Sequence, residues 1–427
     1  MYIKQLEVSN FRSIAHAKIG FTPLSLIVGA NASGKSNLIN VFRFIKDIIT
    51  DGIDNAIALQ GGAVYLANVR FPKGTPIDIR FVLDLSDDTW MNFRRSKKIV
   101  MKPAEIEYKF SILPHKRGNG YRISEDCLTI VSMLYSMDDV PTKGEQRYKS
   151  LNILFKEIFQ KSNVNSSYQY HSKVENDPTN KIINSIEDDL RSTIFLQIAN
   201  ENKKELMLSR IEFLLPPSFY GNSFIRVFDF DPKELKKASS MASVKELSEN
   251  GSNLASVLHE ILRKKESKEK LTTLLKQYLP YVNGLSVENN IDKSFSYSIN
   301  EKYSKRNFHA TFLSDGTVSI IALIIALYFE EKSTIIILEE PERNIHPKLL
   351  SILLESAEDV SKKKQIIITT HNPEFLKHAK PEIVRLLSRN DEGNTVITEP
   401  ANSLMVKTFM ENDLGLDDLF LQNMLGD

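Results

Sequence analysis

The stretch Gly29 to Ser36, GANASGKS, limits the folds open to this chain more than any other. Gly29 and Gly34 are separated by four residues and followed at once by Lys35 and Ser36. The apolar run LSLIVG leads into the loop, and Leu38, Ile39, Phe42, Ile45 and Ile49 recur at helical spacing after it. Strand, glycine loop, helix is the context that a phosphate cradle requires. The glycines let backbone N–H groups turn toward phosphate oxygens, and the helix N-terminus adds about half a positive charge. Lys35 can neutralise the outer phosphates, and the Ser36 hydroxyl can ligate magnesium. An ordinary tight turn would leave that lysine without a purpose.

A second block, residues 313–371, supplies the rest of a nucleotide site. TIIILEE at 334–340 and QIIITTH at 365–371 read as buried strands separated by a helix with Pro347 near its first turn. Parallel strands joined by helical crossovers bind ligands at their carboxyl ends, so Glu339, Glu340 and His371 face the nucleotide. Glu339 is assigned to the magnesium shell and Glu340 to polarising the attacking water. His371 can hydrogen-bond the terminal phosphate or hold that water. Just upstream, LSDGT at 313–317 stands before the most apolar run of the chain, Val318 to Phe329. Twelve residues are too few for a bilayer, which needs about 20, so the run is expected to be a buried helix. Ser314 and Gly316 at its start form either a helix cap or a second anion site. The phosphates already have one helix N-terminus, so a second one would need a phosphate brought by another protomer.

Elsewhere, IDIRFVLDL at 77–85, AEIEYKFSIL at 104–113 and YRISEDCLTIV at 121–131 predict an antiparallel meander, with a Gly-Asn-Gly turn at 118–120. From 135 to 215 the sequence is polar, with stretches such as SLNILFKEIFQ that predict an insertion of modest helices. SFIRVFDFDP, GLSVENN and KSFSYSIN predict strands, NGSNLASVLHEILRKK a capped helix, and EIVRLLSRNDEGNTVITE a hairpin before an acidic terminal helix. Four segments follow: 1–134 with the glycine loop and meander, the insertion 135–215, 216–390 with the second block, and 391–427. Lys plus Arg (55) nearly cancels Asp plus Glu (54), so nucleic-acid binding has to come from local patches. Candidates are Arg94, Arg95, Lys97 and Lys98, then Lys116 and Arg117, then Arg263 to Lys265. Cys127 is the single cysteine, which excludes intrachain disulfides and cysteine zinc sites. That usage, and an amino terminus without a signal-peptide pattern, predict a cytoplasmic protein with no membrane partner.

Taken in order, NFRSI at 10–14, GANASGKSN at 29–37, LSDGT at 313–317, ILEEPERNIHP at 337–347 and TTHNP at 369–373 resemble one family. It is that of the ABC-type ATPases of the SMC and RecF kind, within them the stand-alone and OLD-type ATPases linked to bacterial antiviral systems. The resemblance covers roughly 1–70 and 220–380. It implies an α/β fold: an ABC-ATPase head, a P-loop NTPase with a mixed or parallel sheet flanked by helices, an antiparallel β lobe and the helical insertion. It implies Asn31, Ala32, Ser33, Gly34, Lys35, Ser36 and Asn37 as the Walker A loop, Glu339 and Glu340 as the Walker B acids, and His371 as the switch histidine. Ser314 and Gly316 become the signature motif, touching the terminal phosphate bound by the opposite subunit, and Asn344 to His346 the loop crossing the dimer. Arg12 matches a basic residue near nucleotide or DNA, and Gln60 is the candidate Q-loop glutamine. Two positions depart from the pattern. Glu339 stands where many relatives have Asp, as is usual in the OLD-like branch, and Asn372 replaces a common Ser.

The resemblance implies ATP and Mg2+ as ligands, hydrolysis, and a head-to-tail homodimer closed around two ATP–magnesium complexes. The expected role is to sense or hold nucleic acid and regulate a separate effector, such as a nuclease, in anti-phage defence. About 50 residues follow Pro373, too few for the nuclease domain of the OLD type, hence the expectation of a partner. A RecF-like repair clamp without an effector is the alternative reading. A transporter subunit is a third, and would lack NFRSI.

Overall fold

The computed structural model describes residues 1–85, 93–94, 99–137, 148–161, 169–175, 206–208, 224–243, 245–404, 406, 408 and 415–422. Its strands open with β1 (Tyr2–Phe11), β2 (Ile14–Gly20), β3 (Leu24–Gly29) and β4 (Ile77–Asp84). β5 (Phe93–Arg94), β6 (Ile99–Pro114), β7 (Tyr121–Met137), β8 (Tyr148–Lys161) and β9 (Gln169–Glu175) follow. The carboxyl-terminal half adds β10 (Ile225–Phe228), β11 (Ser239–Ser240), β12 (Val282–Asn289), β13 (Ser294–Glu301) and β14 (Phe308–His309). Last come β15 (Ile335–Glu339), β16 (Gln365–Thr370), β17 (Val384–Arg389) and β18 (Thr395–Thr398).

The chain forms two compact units: 1–22 with 36–224 and 389–397, and 23–35 with 225–388 and 398–427. The boundaries expected from sequence do not anticipate this threading. The strand before the glycine loop is lifted out of the amino-terminal lobe because its hydrogen-bond partners lie more than 300 residues later, at β16 and β17.

Unit 1 is an antiparallel sheet in the order β2-β1-β4-β6-β7-β8-β9, with β5 paired to β6. The predicted meander is its centre, and β6 and β7 are longer than expected, closing on the Gly118–Gly120 turn where His115 N–H donates to the Gly120 carbonyl. The helix Lys35–Leu59 lies in this unit except for its first residue, buries Leu38, Ile39, Phe42, Ile45 and Ile49 as their spacing requires, and bends at Gly52, whose φ is 80°.

The expected insertion of helices is corrected where it is described. SLNILFKEIFQ lies in β8, not in a helix, and β9 follows it. Its apolar residues fit a helical period, but β7 offers a long free edge, and pairing from Asp126–Lys161 to Met137–Tyr148 satisfies the backbone instead. Of the rest of the insertion, 176–215, only 206–208 is described; there Met207 N–H donates to the buried Asp126 carboxylate at 3.0 Å.

Unit 2 holds a parallel sheet in the order β10-β15-β16-β3-β17, each neighbouring pair in parallel register. β15, β16 and β3 are buried almost throughout, as the unbroken apolar runs demand. A smaller antiparallel sheet, β11-β13-β12 with β14 on β13, belongs to the same unit. Val318–Phe329 is indeed the body of a buried helix, Asp315–Tyr328, with every residue from Thr317 to Leu327 buried. A helix apolar on all sides needs such a core. No helix among the described residues is long and apolar enough to cross a membrane. Residues 384–398 form the predicted hairpin, turned by Gly393 N–H on the Asn390 carbonyl. The terminal helix is described at Leu416–Leu421. Asn253 precedes the Leu254–Arg263 helix without a side-chain cap; its amide ties down the preceding loop at Ser248 and Glu246 instead.

Candidate functional site

The carboxyl ends of β3, β15 and β16 lie side by side in the parallel sheet, and this adjacency assembles the site. After β3 the chain turns through Ala32 at φ 64° and Gly34 at φ 110° before entering the helix at Lys35. Gly29 admits no side chain, because a Cβ there would collide with the Leu387 carbonyl of β17 and the Ser33 hydroxyl. Lys35 is only 7% exposed, and its ammonium folds back on the Gly29 and Ala30 carbonyls at 2.7 and 3.1 Å. Burial pushes the Lys35 ammonium below its ordinary range, against the opposing pull of Glu340, Glu342 and Glu339. Asn31, Ala32 and Ser36 are exposed around it.

Glu340 is the hub. Its Oε1 lies 3.9 Å from Lys35 Nζ and 3.2 Å from His371 Nδ1, while Arg343 Nε donates to Oε2 at 3.1 Å. Its backbone sits at φ 43°, a conformation that costs a non-glycine residue about 1–3 kcal/mol, held by its N–H on the Thr369 carbonyl at 2.9 Å. Burial would raise the Glu340 carboxyl, yet hydrogen bonds from Arg343 and His371 outweigh it and the net direction is down. The group is therefore a carboxylate at neutral pH, able to take a proton from a bound water.

The structure brings together Lys35, Glu340 and His371, all named from the sequence, and adds three neighbours that the sequence reading did not name. Arg343 bridges Glu340 to Asp229, its Nη1 donating to Asp229 Oδ1 at 2.8 Å. Glu342 is buried and takes a hydrogen bond from the Thr370 hydroxyl, while its other oxygen has no hydrogen-bond partner among the described residues. Burial pushes the Glu342 carboxyl up. The only sequence signal for this pair was their place in LEEPER, where residues three apart in a tight turn can meet. Arg343→Ala should cost about tenfold or more in kcat, the worth of one charge-assisted hydrogen bond, with KM for ATP held. Steady-state kinetics of that variant and of Arg343→Lys, expected to recover part of the loss, check this.

Ser314 and Gly316 form a separate cluster at the start of the Asp315–Tyr328 helix. Ser314 Oγ caps it, accepting from Thr317 N–H at 3.2 Å, and lies 2.8 Å from Thr317 Oγ1. Asp315 is held by Lys236 at 2.5 Å. A Cβ on Gly316 would stand 2.5 Å from the carbonyl oxygen of Asn344, itself strained at φ 64°. The expected interface loop and the signature turn are thus in contact within one chain. Gly316→Ala should destabilise the fold by about 1–3 kcal/mol, read as a lowered Tm, because the neighbour is backbone.

Four expected residues, Arg12, Ser36, Asn37 and Gln60, belong to unit 1. Arg12, at φ 48°, donates to Gln60 Oε1 at 2.6 Å, so the candidate basic and Q-loop residues pair with each other. Burial and the nearby Arg43 push the Arg12 guanidinium down. Asn37 Nδ2 donates to Ser13 Oγ at 2.6 Å. Ser36 opens this unit directly after Lys35. The donor set expected for magnesium, the Ser36 hydroxyl and the Glu339 carboxylate, is all oxygen, as a hard cation prefers. Of the basic clusters, the side chains of Arg94 to Lys98 lie outside the described residues, and Arg263 is drawn to Glu260 at 3.5 Å.

Comparison with known proteins bears on the fold. An SMC head bound to the C-terminal winged-helix domain of ScpA superposes with a TM-score of 0.55 at 15% identity, covering 96% of this chain and 100% of that one. The SMC head domain of Thermotoga maritima gives 0.38 at 14% identity, covering 93% and 99%. The Pyrococcus furiosus Smc head with an extended coiled coil, bound to the C-terminal domain of ScpA, gives 0.48 at 12%, covering 96% and 99%. The first of these three is similar enough to carry an argument, and at that identity it speaks to the fold: an SMC-head-like ABC ATPase fold. No curated protein matches. The family described as AAA ATPase domain matches residues 1–376, and the chain belongs to it.

Proposed function

We propose that the protein hydrolyses ATP as a head-to-tail pair of chains. The observation that carries this is the convergence of Lys35, Glu340 and His371, with Glu340 ionised, its Oε1 3.9 Å from Lys35 Nζ and 3.2 Å from His371 Nδ1. ATP lies with its phosphates along the loop 29–37, its terminal phosphate against Lys35. Magnesium, held by Ser36 and Glu339 with the phosphates, would neutralise charge on the terminal phosphoryl group. Glu340 accepts the proton of the attacking water, and His371, which contacts Glu340, donates to the terminal phosphate. Ser314 and Gly316 of the opposite chain complete the site with N–H groups at their helix start.

Turnover per chain should rise with protein concentration, because one chain alone lacks half of each site, and EDTA should abolish it. A rate per chain that stays constant on dilution through the dimer range, on sizing with ATP, sinks the composite site.

We infer that the cycle regulates a separate effector, such as a nuclease, in anti-phage defence, with nucleic acid as the signal. Support comes from the motif set and from the solved SMC head carrying a ScpA winged-helix domain, which is the kind of partner this fold can hold. Co-purification of the native complex tests it. A chain that purifies alone, binds gapped DNA and gives no protection in a phage challenge points to the repair-clamp reading instead.

A further inference from the structure

The turn between β13 and β14 carries Lys302, Tyr303, Lys305 and Arg306 within five residues, followed by Phe308. All five side chains are exposed, and Tyr303 is 87% exposed. None of the three cations has an ion-pair partner among the described residues, and the single acid of the segment is Glu301. The chain as a whole has a formal net charge of +1, so this is a local positive patch and not a part of a general field.

The turn is also rigid. Ser304 N–H donates to the Glu301 carbonyl at 3.2 Å, Ser304 Oγ to the Arg306 carbonyl at 2.9 Å, and Arg306 N–H back to Ser304 Oγ at 3.0 Å. Asn300 Nδ2 donates to Asn307 Oδ1 at 3.1 Å on its flank. An aromatic ring on a fixed backbone, flanked by unpaired cations, is the arrangement that stacks an unpaired base while holding its phosphates. A duplex offers the same phosphates but no free base face to Tyr303.

The turn is wired to the signature cluster. Lys302 N–H donates to the Tyr281 carbonyl at 2.8 Å, and Tyr281 Oη lies 3.2 Å from Thr317 Oγ1, which in turn lies 2.8 Å from Ser314 Oγ. We infer that the 302–308 turn binds single-stranded nucleic acid and passes its occupancy to Ser314 through Tyr281 and Thr317. The coupling rests on the head-to-tail reading; the binding does not.

Fluorescence anisotropy of the full chain with labelled oligothymidylate, without ATP, tests the binding. Lys302→Ala, Lys305→Ala and Arg306→Ala combined should weaken affinity tenfold or more and reduce the slope of log K against log salt by about 2. Tyr303→Ala should weaken the single strand by about tenfold and leave a duplex of the same length unchanged. No binding by the wild type, an unaltered triple variant, or binding only to anionic phospholipid vesicles overturns the site; equal loss on duplex and single strand after Tyr303→Ala overturns the stacking. For the coupling, oligothymidylate should change ATP turnover of the wild type and not of Tyr281→Phe, whose oligonucleotide affinity is kept. An equal response in both overturns the link, and failure of ATP turnover altogether strikes the ATPase reading while leaving the binding result intact.

Discussion

Replacing Glu340 with Gln should lower ATP turnover by about 10²- to 10⁴-fold, the usual worth of a general base, while ATP binding stays intact and closed dimer accumulates. The amide keeps the size of the side chain and can still meet Arg343, but it cannot take a proton from water. Nucleotide therefore enters and the pair closes, and the step that would open it does not occur. Sizing with ATP and magnesium should move the variant to the dimer position, where the wild type passes through it transiently. A kcat within about threefold of the wild type would remove Glu340 from the role of base and leave its contacts with Lys35 and His371 as charge balance. His371→Ala is the companion. It should lower kcat without the accumulation of a dimer more stable than that of Glu340→Gln, because Glu340 keeps Arg343 as a partner.

That site was legible because motif order in a parallel sheet encodes position. Once 334–340 and 365–371 read as buried strands, their carboxyl ends had to lie beside the glycine loop, and Glu340 and His371 with them. Arg343 was not legible in the same way. It matters through Asp229, 114 residues earlier in sequence, and no local pattern reports a partner at that distance. Residues 150–160 failed for the opposite reason: their local pattern was clear and misleading. Leu154, Phe155, Ile158 and Phe159 fall at helical spacing, yet Phe159 is buried opposite Leu128 in a strand ladder. Backbone groups beside a long unpaired edge pair with it whatever the intrinsic period, and an edge formed by distant sequence is invisible locally. Ser314 lies between these cases. The sequence offered a cap or an anion site, and the cap is there, with the hydroxyl on Thr317 and the residue still exposed. A cap and an anion site are not exclusive, since both use the N–H groups of one helix start.

The two readings of Ser314 part company when the residue is changed to Arg. Loss of the cap alone should cost about 1 kcal/mol of stability and leave ATP-driven closure unaffected. A long cation at a composite site should abolish closure while each monomer binds ATP normally. Mixing sharpens the distinction further. A Lys35→Ala chain cannot hold the phosphates but carries an intact Ser314, and a Ser314→Arg chain has the reverse defect. Each alone should be inactive, yet a mixed pair assembles one complete site from the loop of one chain and the turn of the other. Turnover should therefore reappear on mixing, peak near equal amounts, and reach about half the wild-type rate if the two sites act independently. If they must fire together, ATP will still close the mixed pair on sizing without restoring turnover. A Ser314→Arg chain that closes and turns over ATP by itself, with nothing gained on mixing, would mean that Ser314 serves its own helix and nothing across a dimer, and the polar turn before the apolar helix would be only its cap.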